Sequence, residues 1–266
     1  MKTFDLGEIN EPMLIFGGPT SNLHALEALF KLGKGLRIPA NRMLSTGDMV
    51  AYCADAEATV QRLRGAGVVV LAGNCEKQLA QGSADCNCGF GEDSACSLLS
   101  RGWYAHARTQ VTDDSREWMG RCPDRIVFRH CGRRFVVIHG GARDINRFIF
   151  SVEPEEELAA EMDLLAHQVG SFDAVFAGHS GIAFSRQVGA REWINAGSLG
   201  MPQNDGSVQT RYTLLADGKA QTCRLDYDHF GAAKAMRNAK LVQGYHETLV
   251  TGYWPSEDVL PMELRV

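Results

Sequence analysis

Four short runs pass from apolar residues straight into a side chain that can hold a metal or move a proton. MLSTGD ends on Asp48, VVVLAGN ends on Asn74, FVVIHGG carries His139 and AVFAGHS carries His179. One carboxylate, one amide oxygen and two imidazoles form a mixed O/N donor set suited to a divalent transition metal (Mn, Fe or Zn) and poorly suited to Ca. Each residue taken singly has a plainer explanation, as a hydrogen-bonded core histidine or an aspartate in a turn. Four at four strand ends favour convergence, because ligands of open α/β sheets bind beyond the carboxyl ends of the strands.

The elements that must position these residues are legible as alternating apolar runs and helical patterns, the mark of a layered α/β fold. Strands are predicted over Met13–Phe16, Arg42–Ser45, Val68–Ala72 and Asp173–Ala177, with amphipathic helices over Leu23–Leu32 and Asp55–Gly65. Three hairpins follow: Arg125–His139 about His130-Cys131-Gly132, Phe184–Asn195 about Gly189-Ala190, and Arg211–Leu225 about Asp217-Gly218. A helix is predicted from Pro154 to about Val169, its first turn rich in glutamate, and one or two more between Asp228 and Gly252. We expect one domain over residues 1–266, with 228–266 a helical C-terminal extension.

The chain has 266 residues, 45% of them hydrophobic, and a net charge of -5, enough to bury a full core. The acidic balance argues against nucleic acid, which needs clustered cations. No apolar run approaches the roughly 20 residues that span a bilayer, and the start MKTFDLGEINEPMLIF suits no secretory signal, so a cytoplasmic location without membrane contact is expected. The eight cysteines are then read as reduced thiols or metal ligands rather than disulfides.

Taken in order, GDMVAY, GNCE, IHGG, AGHSG and INAGSLGMP resemble the ordered motifs of the calcineurin-like metallophosphoesterases, over Leu14 to about Leu225. The resemblance implies an α/β four-layer sandwich of two mixed β-sheets flanked by helices. It also implies metal-dependent hydrolysis of a small phosphomonoester or phosphodiester. In that family two metals share a bridging aspartate, here Asp48. One metal is held further by the equivalents of Asn74, His139 and His179, all present, which implies one divalent transition metal per chain. The other needs the Asp and His of a first motif D-x-H-G-N and the second His of G-H-x-H, and those places hold Gly18, Thr20 and Gly181. Cys75 stands where the family has a histidine that protonates the leaving oxygen.

The loop Gly17-Gly18-Pro19-Thr20-Ser21-Asn22 keeps the motif's shape without its ligands. Ser21 and Asn22 are expected to cap the following helix, and Asn22 with the amides from Thr20 to Leu23 to bind phosphate in the space of the missing metal. Arg143, and with it Arg147, follows His139 closely enough to face the same cleft and hold phosphate oxygens; a surface salt bridge is the alternative. Cys75, Cys86, Cys88 and Cys96 are either ordinary packed thiols or a substitute metal or redox-sensitive site. Two other functions stay open on these residues: a non-catalytic phospho-ligand-binding or regulatory protein on the same fold, and a cysteine-based metal or redox sensor.

Overall fold

The run MLIF, with all four residues buried, forms strand β2 (Met13–Phe16) at the centre of a five-stranded sheet. The computed structural model describes residues 1–91 and 93–266. β2 pairs in parallel with β3 (Met43–Ser45), and β3 in parallel with β4 (Val69–Val70). On its other side β2 pairs antiparallel with β10 (Thr210–Ala216), which forms a hairpin with β11 (Lys219–Leu225). The second sheet has the order β1 (Thr3–Glu8), β5 (Arg125–His130), β6 (Arg133–Val137), β7 (Ala174–Ala177), β9 (Arg191–Asn195), β8 (Phe184–Val188). In it β6, β7 and β9 run parallel, while the β5–β6 and β8–β9 hairpins are antiparallel.

Alternate side chains of a strand face opposite sides, and this sorts the core into layers. Met13 and Ile15 of β2 meet Phe128, Phe135 and Phe176 of the second sheet in a cluster between the sheets. Leu14 and Phe16 point the other way, into a cluster with Leu26 and Leu29 of α1 (Leu23–Leu36) and Val60 and Leu63 of α2 (Ala56–Ala66). On the outer face of the second sheet, Val136, Val175 and Trp193 pack against Leu158, Met162 and Leu165 of α6 (Glu155–Val169). The result is the expected sandwich of two mixed sheets with helices outside.

The differences from the sequence reading have local causes. α1 continues to Leu36 and stops only where Arg37 takes a left-handed conformation (φ 59°). β4 is reduced to two residues, because the Leu71 amide makes the last bond to β3, at Ser45, and the Ala72 amide turns to the Pro123 carbonyl. The unanticipated β1 is an edge strand whose side chains are mostly exposed, so it carries no apolar alternation. Between β4 and β5 lie three further helices, α3 (Asn74–Ala80), α4 (Ala95–Gln110) and α5 (Asp113–Arg121). The C-terminal part supplies α7 (His229–Asn238) and α8 (Tyr245–Thr251). No helix among the described residues is long and apolar enough to cross a membrane.

Candidate metal centre

The carboxyl ends of the parallel strands of both sheets deliver the four residues to one place. Asp48 follows β3, Asn74 opens α3 after β4, His139 follows β6 and His179 follows β7. Asp48 (φ 52°) and His179 (φ 62°) both adopt the left-handed conformation, an unfavourable state for such residues that is typical of functional sites. His139 Nε2 lies 3.0 Å from Asn74 Oδ1, 3.1 Å from His179 Nδ1 and 3.3 Å from Asp48 Oδ2. His179 Nδ1 is 3.8 Å from the same Asp48 oxygen. The candidate ligand atoms of Asp48, His139 and His179 all fall within 4.8 Å of one another, the one such His/Cys/Asp/Glu group among the described residues.

The surroundings decide what these atoms offer. A carbonyl can only accept, so the 2.7 Å contact between His139 Nδ1 and the Thr46 carbonyl puts a proton on Nδ1, and the neutral ring then offers its lone pair at Nε2. Asn74 Nδ2 donates to the Cys86 carbonyl at 2.9 Å, which turns Oδ1 inward. His139 Nε2, Asn74 Oδ1 and Asp48 Oδ2 are therefore acceptors facing one another, an arrangement that calls for a cation, and Asp48 Oδ1 is buried without a hydrogen-bond partner. The donor set fits a divalent transition metal on these grounds. Burial alone would raise the Asp48 carboxyl, but contacts with His139 and His179 outweigh it and hold the group below the usual carboxylate range. For His139 burial is likewise outweighed, here by Asp48, and its pKa rises, while burial prevails at His179 and lowers it.

Glu76 completes the support and was not singled out from the sequence. Its fully buried carboxylate accepts from the amides of Asp48 (2.9 Å), Gly73 (2.8 Å) and Val50 (3.1 Å), tying the Asp48 loop to the start of α3. Burial and the Asp48 charge push it up to about 7, against the pull of His139 and the Val50 and Gly73 amides. The signal was the G-x-x-E spacing of a capping box in GNCE.

Around the missing first motif the structure corrects several expectations. Asn22 does cap α1, its Oδ1 accepting from the Ala25 amide at 3.0 Å, but its Nδ2 donates to the Gly200 carbonyl rather than toward the cleft. The amides of Thr20, Ser21 and Asn22 are already bonded to the carbonyls of Asp48, Met49 and Pro19, so they do not form an anion site. Arg143 is exposed and does not line the cleft. Arg147 pairs with Glu161 (2.7 Å), Glu157 (3.2 Å) and Glu153 (3.6 Å). Cys75 is buried outside the cleft lining, and burial pushes its thiol up, with Asp48 and Glu76 adding to the rise. Cys86 and Cys88 are joined in a disulfide, which corrects the reading of these two as reduced thiols. Cys96 lines the cleft wall.

The cleft in front of Asp48 and His179 is walled by Tyr52, Phe90, Phe148, Met201, Tyr245 and Trp254. Against known proteins, a sequence model of the calcineurin-like phosphoesterase superfamily domain matches residues 21–217, starting one residue beyond Thr20. Among solved structures the chain is similar to a metallophosphoesterase from Sphaerobacter thermophilus (19% identity, 92% of this chain and 100% of that one, TM-score 0.69). It is also similar to a hypothetical protein from Pyrococcus horikoshii OT3 (13% identity, 92% and 98% covered, TM-score 0.76). At these identities the structural likeness carries the fold and not the activity. A search of curated proteins gives no match. The match to the superfamily domain spans most of the chain and agrees with the two-sheet architecture and the ordered strand-end ligands: the chain belongs to the calcineurin-like phosphoesterase superfamily.

Proposed function

We propose that the chain is a metal-dependent phosphoesterase that works with one divalent transition metal held by Asp48, Asn74, His139 and His179, and acts on a small phosphorylated molecule. The observation that carries this reading is the inward-facing acceptor set around His139 Nε2, with contacts of 3.0 to 3.3 Å to Asn74 Oδ1, His179 Nδ1 and Asp48 Oδ2. When bound, the metal would polarise a phosphoryl oxygen and lower the pKa of a coordinated water. The rest is done by the chain. Asp48 supplies the anionic ligand, the Thr46 carbonyl fixes the His139 tautomer, the Cys86 carbonyl aims Asn74, and Glu76 holds the Asp48 loop. Residues 228–266 belong to the same functional unit on this reading, since Tyr245, Trp254, Ser256 and Val259 wall the cleft.

One observation favours a second reading, a phospho-ligand-binding or regulatory protein without turnover. Cys75 is buried, so the place of the proton-donating histidine holds no exposed acid. Elemental analysis after loading with Mn, Zn, Fe or Mg, together with hydrolysis of p-nitrophenyl phosphate and bis(p-nitrophenyl) phosphate, separates the two. We expect one metal per chain, lost in Asp48→Asn and in His179→Ala, and hydrolysis that depends on it. Metal retained at wild-type stoichiometry in both variants would overturn the site. Metal binding with no turnover of either ester would leave the binding protein.

A further inference from the structure

Among the described residues, the space beside Asp48 where the family's other metal would sit is lined by no carboxylate or imidazole besides Asp48 and His179, and Trp254 closes one side of it. Trp254 packs over Gly181, such that a Cβ at that glycine would lie 3.3 Å from the indole Cζ2 and 3.5 Å from Cη2. The indole is anchored there: its Nε1 donates to the Pro202 carbonyl (2.7 Å) and the Trp254 amide to Asn204 Oδ1 (2.7 Å). On the other side of the metal ligands the Phe148 ring stands 4.3 Å from the His179 ring and stacks on Phe90 at 5.6 Å. Tyr52 and Tyr245 pair at 4.6 Å along the same wall. Among the described residues lining the cleft the charged or titrating histidine and carboxylate groups are Asp48 and His179, and none is lysine or arginine. Of the two arginines that follow His139, Arg143 is exposed away from the cleft and Arg147 is committed to three glutamates.

Such a cleft has nothing to neutralise a second or third phosphate, so nucleoside polyphosphates and other polyanions are poor fits. It offers instead a set of ring faces next to one phosphoryl position, and planar rings stack on aromatic walls in offset or edge contacts. We propose that the site takes an aryl phosphate ester, its single phosphoryl group at Asp48, Asn74, His139 and His179 and its ring against the Phe90, Phe148, Tyr245 and Trp254 wall. This rests on the single-metal phosphoesterase reading and names its substrate class. The reaction is balanced without a protein acid in the place of Cys75. Water oxygen forms the new bond to phosphorus and gives up one proton to solvent, the P–O(aryl) bond breaks, and the phenolate leaves with the electron pair and takes a proton from solvent. A phenol, with a pKa near 10, leaves in this way more readily than an alkyl alcohol.

The test separates ring recognition from leaving-group chemistry by using phosphonates, whose P–C bond is not cleaved. Calorimetric titration of the Mn2+-loaded protein should give phenylphosphonate a Kd at least tenfold tighter than methylphosphonate, with pyrophosphate weaker than phenylphosphonate. In Trp254→Ala the phenyl-to-methyl ratio should fall below threefold. Phe148→Leu, which keeps an apolar side chain at a second wall position, should reduce the ratio as well and decides the matter if the Trp254 variant does not fold. Equal binding of the two phosphonates by the wild-type protein would overturn the aryl assignment while leaving the phosphoesterase reading intact. Binding of neither phosphonate to the Mn2+-loaded protein would overturn that reading and this inference with it.

Discussion

Restoring the family's missing ligands by Gly18→Asp, Thr20→His and Gly181→His should not restore the second metal. The structure gives the cost of each step. At Gly181 (φ 74°) any L-residue pays roughly 1–2 kcal/mol for the left-handed backbone. A histidine there must also displace the Trp254 ring, breaking its bond to Pro202, worth about 1 kcal/mol. At Gly18 a Cβ would stand 2.9 Å from Asp48 Cβ, Asp48 O and Thr20 Cγ2, and the Asp48 carbonyl cannot yield without moving the bridging aspartate. Overpacking of this kind costs about 1–3 kcal/mol. The triple variant should therefore lose roughly 3–6 kcal/mol, a fall of roughly 6–24 °C in Tm for a chain of this size. Urea unfolding gives the stability and elemental analysis of Mn2+-loaded protein the stoichiometry, which should not exceed one. Two metals per chain with less than about 1 kcal/mol lost would refute the view that the space is closed to the missing ligands.

The supporting shell and the remaining chemistry give three further tests. Glu76→Ala leaves the amides of Asp48, Val50 and Gly73 without their acceptor, which should cost about 3 kcal/mol and weaken Mn2+ binding at least tenfold; unchanged metal affinity would show that the Asp48 loop holds itself. Asp48, kept below the usual range because its histidine contacts outweigh burial, contributes stability to the metal-free protein that is present above about pH 4 and lost as pH falls below it. Stability of Asp48→Asn should lack that share of the acid limb in denaturant titrations from pH 6 to 3, and parallel curves would sink the assignment. Thiol titration of the native protein should count Cys131 and Cys223, the exposed and half-exposed cysteines, before any other, and leave Cys53, Cys75 and Cys122 unmodified until unfolding; fast labelling of Cys75 would refute its burial.

What could be read from the sequence was whatever has a local cause. MLIF and AVFA show as strands because apolar neighbours lie on both of their faces. The turns at Cys131-Gly132 and Asp217-Gly218 show because both residues of each pair take positive φ, as a two-residue hairpin turn requires. The four candidate ligands were visible because each follows a strand. Residues whose position depends on distant packing were not. Arg147 lies eight residues after His139 in sequence, yet the acidic start of α6 captures it. Trp254 has no motif of its own, and its contact with Gly181 exists only once the C-terminal segment has folded over the cleft. Glu76 was printed in the GNCE motif, but its three amide partners come from two separate loops.

The glycine-proline loop after β2 keeps its form without its metal because the backbone itself is now the packing surface. A Cβ on Gly17 would overlap the Gly197 carbonyl oxygen, and one on Gly200 would overlap the Pro19 carbonyl. The Gly18 carbonyl accepts from the Leu199 amide (3.1 Å), the Gly200 amide (2.9 Å) and the Ser198 hydroxyl (3.1 Å). On the other side, the Thr20 and Ser21 amides bond to the carbonyls of Asp48 and Met49. The loop thus clamps the Asp48 turn to the segment after β9, and both of these bound the cleft. Buried peptide groups with no other partners make such a clamp expensive to change. Loss of the ligand side chains leaves it standing, since carboxylate and imidazole never contributed to those bonds. The candidate metal site and the aromatic wall are in this sense a single construction: the backbone contacts that hold Asp48 in place leave Gly18 no room for a side chain, and the Trp254 ring stands over Gly181.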